Sequence, residues 1–114
     1  MPKLIYTPKA LEDLQGIKAY VAKQFGEGKA KACVKKITST TRQLELFPGE
    51  GSRLEDLIEY PTDYYYLVVK PDYVFYSVEG DTVRVIRILN EKQDFLQILF
   101  GFSSISEEGE DYWR

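Results

Sequence analysis

The sequence predicts a single α+β domain in the order β-α-α-β-β-β-α, with an N-terminal helical hairpin packed on a small, antiparallel-rich sheet. Two stretches in the first half carry apolar residues at three- and four-residue spacing, which is typical of amphipathic helices. Three runs rich in valine, isoleucine and tyrosine follow, separated by short turns, which is typical of a strand meander. At 114 residues the chain is long enough to bury one core.

The N-terminal half predicts a strand followed by two helices. Residues 3–7 are β-prone, and Thr7 followed by Pro8 favours a helix start, because threonine caps a helix and proline fits its first turn. A Gly-Glu-Gly sequence at 26–28 divides the helical region into a hairpin. The apolar stripes expected to face the core are Leu11, Leu14, Ile17, Val21 and Phe25 in the first helix, and Ala30, Cys33, Val34, Ile37, Thr41, Leu44 and Phe47 in the second.

The C-terminal half predicts a meander and a terminal helix. Residues 48–63 are interpreted as a polar loop with one apolar patch. The strand-like runs are residues 64–69, 73–78 and 82–89. Apolar residues at helical spacing within 91–100 predict the short terminal helix. The expected domain therefore spans residues 1–101, and residues 102–114 form an acidic C-terminal tail.

Alternation along the strands predicts which side chains share a face, because successive residues of a strand point to opposite sides. In the last run the two sets are Arg84, Ile86 and Ile88, and Val83, Val85, Arg87 and Leu89. Ile86 is expected in the core, where a charge in its place would unfold the domain. Both faces of every strand are largely apolar, so the helices cover one face, and the terminal helix, the tail or a partner covers the other.

The composition excludes several classes of site. The single cysteine, Cys33, cannot form an internal disulfide and is expected to pack in a helix, which fits a reducing, cytoplasmic location. The absence of histidine removes the usual general base and the commonest metal ligand. No stretch is long enough to span a bilayer, and no phosphate-binding or dinucleotide motif is present. We therefore expect no cofactor, no metal and no membrane contact.

Charge is unevenly divided between the two halves of the chain. Residues 1–47 carry nine Lys/Arg against four Asp/Glu, a net charge of +5, whereas residues 48–114 carry six against fourteen, a net charge of −8. The five tyrosines and one phenylalanine of residues 63–80 lie in the acidic half. Nucleotides stacked on these rings would lack the cations that hold phosphates, so the rings are interpreted mainly as packing and protein-contact surface.

Two long stretches carry a resemblance to a known family. They are "YTPKALEDLQGIKAYVA" and "YYYLVVKPDYVFYSVEGDTVRVIRILNEKQDFLQILFG". Their pattern resembles the RelE/ParE superfamily, the toxins of bacterial type II toxin–antitoxin or plasmid stabilisation modules, over residues 4–101. The resemblance implies a compact toxin fold that a small cognate antitoxin neutralises. RelE-like members cut messenger RNA on the ribosome, and ParE-like members inhibit DNA gyrase by protein contact.

The nuclease residues of the RelE-like members do not carry over to this chain. Their positions fall on Tyr65, Leu67, Tyr73, Gln93 and Leu99, and none of these five matches the family's residue. Cleavage by the 2′-hydroxyl needs a base, an acid and cations that stabilise the developing phosphate charge. Arg87 and Lys92 remain as the candidate catalytic cations if the chain is a nuclease. The candidate tyrosines are Tyr73 and Tyr76.

The leading hypothesis is a type II toxin that acts by protein binding, or a degenerate toxin retained with its antitoxin. The basic hairpin suits an acidic partner, although lysines on solvated helix faces explain it almost as well. Candidate partner-binding residues are Lys18, Lys29, Lys36, Tyr65 and Tyr73. The expected partners are a cognate antitoxin and DNA gyrase; the ribosome and messenger RNA belong to the alternative, a RelE-like endoribonuclease with an atypical site. A third hypothesis is a stable dimer or regulatory subunit that is no longer a toxin.

Overall fold

The structure, a computed structural model, describes residues 2–101, so the expected acidic tail at 102–114 lies outside the described residues. The strands are β1 (Lys3–Tyr6), β2 (Ser52–Arg53), β3 (Tyr65–Val69), β4 (Asp72–Glu79) and β5 (Thr82–Asn90). The helices are α1 (Pro8–Phe25), α2 (Glu27–Arg42), α3 (Leu54–Ile58) and α4 (Phe95–Phe100), and a 3₁₀ turn at Gln43–Glu45 follows α2.

The strands form one five-stranded sheet in the order β1-β5-β4-β3-β2. β1 runs parallel to β5, and all other neighbouring strands are antiparallel. This arrangement confirms the predicted α+β class, the helical hairpin and the three-strand meander. The interpretation of residues 48–63 as a loop is wrong in part, because they contain β2 and α3. These elements have two and five residues, too few to leave a periodic pattern in the sequence.

The helical hairpin covers one face of the sheet, the helix-covered face. Its largest buried cluster consists of Ala10, Ile37, Val69, Val74, Val85 and Ile88. The predicted stripes are correct in their middle but too long at their ends, since Leu11, Phe25 and Phe47 are 50%, 62% and 63% exposed. Phe25 is the last residue of α1 and Phe47 follows the 3₁₀ turn, so both lie where little of the chain is available to cover them.

Helices α3 and α4 cover the opposite face of the sheet, the outer face. Its buried residues are Leu54, Phe75 and Leu89, and the partly buried residues around them are Ile58, Tyr64, Tyr66, Tyr73, Phe95, Ile98, Leu99 and Phe100. The rings pack closely, with centroids 5.3 Å apart for Phe75 and Phe95. The terminal helix is thus one of the elements that cover the second apolar face, and most tyrosines of residues 63–80 are packing residues.

The pairing between β4 and β5 contains a β-bulge. Phe75 lies opposite Arg87 and Tyr76 opposite Val85, so Ile86 has no residue opposite it. The extra residue shifts the alternation, so the buried side chains of β5 on the helix-covered face are Val83, Val85 and Ile88. The predicted face sets of β5 are therefore correct up to Ile86, which shares a face with Arg84, and wrong from Arg87 onward. Ile86 is half-buried and lines a groove on the outer face instead of the core.

Tyr76 fixes the segment that leads from the hairpin to β2. Its buried hydroxyl donates to the Pro48 carbonyl and accepts the Gly51 N–H, each at 2.9 Å. A Cβ on Gly51 would lie 2.6 Å from both this hydroxyl and the Tyr66 carbonyl, so only glycine allows this approach. The position of β2 and of the α3 that follows it therefore depends on a tyrosine under the hairpin.

Asp72 is a buried carboxyl at the start of β4, with only 3% of its surface exposed. Burial raises its pKa above the ordinary value of 3.8, the Asn90 side chain opposes the shift by a hydrogen bond, and the Glu91 charge adds to it. The folded state therefore holds this proton more tightly than the unfolded state. Ionising Asp72 costs stability as the pH rises above 3.8, and the cost is complete above the folded pKa.

We expect Asp72→Asn to raise the free energy of unfolding at pH 7, because the amide cannot ionise. The gain should shrink when unfolding by urea is measured at pH values that approach 3.8, because the raised pKa of the buried carboxyl favours its protonated form in the folded state. Asp81→Asn, an exposed aspartate in the turn before β5, is the matched control. A gain of equal size across this pH range, or the same gain in the control, would contradict the account.

Candidate functional site

Strand β5 extends beyond the end of its neighbour β1. The two strands pair only from Lys3 opposite Thr82 to Tyr6 opposite Val85. Thr7 then continues the edge: its N–H donates to the Val85 carbonyl at 3.0 Å, and its hydroxyl donates to the Ile86 carbonyl at 2.8 Å. The same hydroxyl accepts the Ala10 N–H at 3.0 Å, as the predicted N-cap requires.

Asp13 occupies the next part of this edge. Its Oδ2 accepts Arg87 Nε at 2.7 Å and the Ile88 N–H at 2.9 Å, and its Oδ1 accepts Arg87 Nη2 at 2.9 Å. Only 22% of the Arg87 side chain and 13% of the Asp13 side chain are exposed. This hydrogen bonding to Asp13 raises the pKa of Arg87, against the opposing effect of burial. The guanidinium is therefore committed to a structural ion pair between β5 and α1.

Within residues 2–101, no hydrogen bond or ion pair joins the side chain of Arg87 to those of the other proposed catalytic residues. Tyr73 packs against three aromatic rings of the outer face, with centroids 5.8 to 6.1 Å away. Lys92 is exposed in the turn after β5, and its side chain forms no ion pair with residues 2–101. Tyr76 is fully buried with its hydroxyl engaged. The contacts of the described residues thus show no site that combines the two cations with a tyrosine.

The predicted partner-binding lysines are exposed on the hairpin. They are Lys18 on α1, and Lys29 and Lys36 on α2. The only described ion pair between two hairpin residues joins Lys9 to Glu12, with Nζ and Oε1 3.7 Å apart. The charges of the three lysines are therefore open to solvent and can attract an acidic partner surface.

The two predicted partner-binding tyrosines are in different environments. Tyr65 packs in the helix-covered core, where its ring stacks on Tyr76 with centroids 5.4 Å apart. Tyr73 belongs to the aromatic cluster of the outer face. Each is only partly exposed, so each can offer a partner only part of its ring, and their role in binding stays a prediction.

A groove of about 650 Å³ on the outer face is a candidate site that sequence reasoning missed. Arg53 and Glu55 form one charged wall, with Nη2 and Oε2 2.7 Å apart. Arg84 and Glu79 form another, with Nη2 and Oε1 3.5 Å apart. The expectation that Ile86 is a core residue is wrong, because Ile86 lies on the face opposite Val85, together with Arg84, and lines this groove.

Comparison with known proteins decides the family. The family model described as ParE toxin of type II toxin-antitoxin system, parDE, matches residues 4–95. The chain belongs to the ParE toxin family. The resemblance seen in the sequence is thereby confirmed, and the chain is a toxin of a type II toxin–antitoxin system.

Two solved structures resemble this ParE-family toxin. The chromosomal ParDE system from P. aeruginosa matches at 25% identity and a TM-score of 0.68, over 79% of this chain and 96% of that chain. The heterotetrameric YoeB–YefM toxin–antitoxin complex from Staphylococcus aureus matches at 18% identity and a TM-score of 0.52, over 78% and 95%, which shows the fold alone. A search of curated proteins finds no match.

The described part of the ParE-family toxin has neither a helix that could span a membrane nor a cluster of metal-binding side chains. Within residues 2–101, no helix combines the length and apolar character needed to cross a bilayer. The same residues contain no group of three or more Asp, Glu, Cys or His side chains placed to hold a metal ion.

We expect Arg87→Ala to lower the free energy of unfolding by about 2 kcal/mol, because it leaves the largely buried Asp13 carboxylate without its ion-pair partner. Lys92→Ala is the control, since an exposed lysine without a partner should change stability by less than about 0.5 kcal/mol. Urea unfolding measures both. Equal effects of the two substitutions would show that the ion pair has no structural role.

Proposed function

We propose that this toxin acts by contact with a protein target, with DNA gyrase as the candidate, and does not itself cut RNA. The bidentate pairing of Arg87 with Asp13 is the observation that carries the proposal. The strongest candidate for a catalytic cation is used to attach helix α1 to the sheet. A cation held in this way is poorly placed to meet the charge that develops on a cleaved phosphate.

The charges of the sheet half also disfavour a nuclease. Residues 48–101 carry five Lys/Arg against ten Asp/Glu. The three arginines among them, Arg53, Arg84 and Arg87, are each paired with a carboxylate. Only the exposed Lys70 and Lys92 remain, and the phosphate backbone dominates the affinity of proteins for nucleic acids. A protein target needs no such excess of positive charge.

The proposed antitoxin contact lies on the helical hairpin, away from the outer face of the sheet. Similarity to the ParDE system supports a cognate antitoxin as a partner of this chain. The basic hairpin, with Lys18, Lys29 and Lys36 exposed, is the surface that best fits an acidic antitoxin segment. Attraction between opposite charges would speed the encounter and would weaken as salt rises.

Induced expression in a bacterial host tests the mode of action. We expect growth arrest with disturbed DNA supercoiling, while messenger RNA in the same cells stays intact. Catalytically active RelE-like toxin, assayed in parallel, shows that transcript cleavage is detectable. Transcripts cut at ribosomes would overturn the proposal in favour of the nuclease alternative, and absence of arrest would leave a chain that only binds its partner.

A charge-reversal set tests the antitoxin surface. We expect Lys18→Glu, Lys29→Glu and Lys36→Glu together to weaken antitoxin binding by at least about tenfold at low salt, because they remove electrostatic complementarity. Lys70→Glu, an exposed lysine between β3 and β4, is the single-site control and should have little effect. Unchanged affinity in the triple variant, measured by calorimetry, would place the antitoxin elsewhere.

A further inference from the structure

The groove on the outer face combines an apolar floor with charged walls. Ile86, which the bulge leaves unpaired, supplies apolar surface, and Tyr64 closes one side. A volume of about 650 Å³ falls within the usual range of small binding clefts. Such a space accommodates a short segment of chain but not a folded domain.

The polar groups of the groove are mostly satisfied within the protein. Glu55 accepts from Arg53 and from the Thr62 N–H, at 2.7 and 3.4 Å. Glu79 accepts the Ser77 hydroxyl at 3.1 Å and pairs with Arg84. Both arginines and both glutamates are thereby committed before any ligand arrives.

Asp63 differs from these groups. It is exposed in the groove and forms no hydrogen bond or ion pair through its side chain with residues 2–101. The lining of the groove carries three carboxylates, Glu55, Asp63 and Glu79, against two arginines, Arg53 and Arg84, a net charge of −1. The charge of the groove therefore favours a cationic group and disfavours a nucleic acid, whose phosphates would meet carboxylates.

The charge of residues 102–114 disfavours them as the occupant of this groove. Phe100 stacks on Tyr64 with centroids 5.7 Å apart, so the chain reaches Gly101 close to the groove. Residues 102–114, however, carry four Asp/Glu against one Arg, the same sign of charge as Asp63 and its neighbours. Repulsion between like charges makes a separate, basic partner the better occupant.

We propose that this groove binds a basic, extended segment of the toxin's target protein, with a Lys or Arg side chain of that segment paired to Asp63. The proposal rests on the proposed function, in which the toxin acts by protein contact. The hairpin on the other face of the sheet carries the opposite charge and is assigned to the antitoxin. The groove therefore serves the second partner that a toxin of this kind requires.

Charge reversal at one position tests the assignment in cells. We expect Asp63→Lys to increase survival after induction by at least about tenfold, because a repulsive charge replaces an attractive one. Asp56→Lys makes the same change on exposed α3 outside the groove and should leave the arrest intact. Both variants should bind the antitoxin with wild-type affinity, which separates loss of target contact from loss of the toxin fold.

A peptide probe tests the same groove without depending on toxicity. An eight-residue peptide of alternating lysine and valine is titrated against the full chain, and its binding is followed by fluorescence anisotropy. We expect Asp63→Lys to weaken binding by about tenfold relative to wild type and Asp56→Lys to have a much smaller effect. If wild-type chain causes no growth arrest, the proposed function fails and this titration decides the inference alone.

Three results would overturn the inference. The first is full growth arrest by Asp63→Lys in cells where the wild type is toxic. The second is equal loss of peptide binding in the Asp63 and Asp56 variants, which would indicate a general charge effect. The third is tighter peptide binding by a variant in which the four Asp/Glu residues of the tail are replaced by Asn/Gln. Loss of negative charge should weaken the binding of a basic peptide, so a gain in affinity would indicate that the tail competes for the groove.

Discussion

The Asp13 carboxylate, which accepts three hydrogen bonds from β5, is the interaction on which the rest of the structure depends. β1 is too short to pair with all of β5, so the Ile86 carbonyl and the Ile88 N–H would lack partners at that edge. Thr7 and Asp13 supply them from α1. Buried backbone groups without partners are costly. Because side chains take the place of the missing strand pairing, a four-residue β1 is long enough to lead into the helical hairpin and hold it on the sheet.

The same edge determines what each face of the sheet can do. Ile86 and Ile88 are both held by the N-terminal segment, Ile86 faces outward with Arg84, and the bulge turns Ile88 back into the core. Arg87 is held in the ion pair with Asp13, and in the proposed function it is a structural residue. The result is a toxin with a basic hairpin on one side and an acid-flanked groove on the other, an arrangement better suited to two protein partners than to RNA.

Much of the fold could be predicted from the sequence, and most of the candidate site could not. The period of the apolar residues identified α1, α2, the meander and α4, and Thr7 with Pro8 marked the start of α1. α3 and β2 were not predicted because contacts with residues distant in the sequence hold them in place. Leu54 packs in one cluster with Phe75, and the Gly51 N–H donates to the Tyr76 hydroxyl. The groove was not predicted because its lining comes from separate segments of the chain, among them Arg53, Asp63 and Arg84, and no local pattern in the sequence reveals that they meet.

The most direct test of the claim that Arg87 is structural and not catalytic is to remove its charge while leaving two side chains that can hydrogen-bond in its place. The paired replacement Asp13→Asn with Arg87→Gln retains an acceptor for the Ile88 N–H and a donor and acceptor facing each other. Growth arrest is measured per amount of folded protein, with folding verified by circular dichroism and antitoxin binding. The account predicts that arrest persists at the wild-type level, because Arg87 takes no part in catalysis. A folded double variant that no longer arrests growth would contradict it.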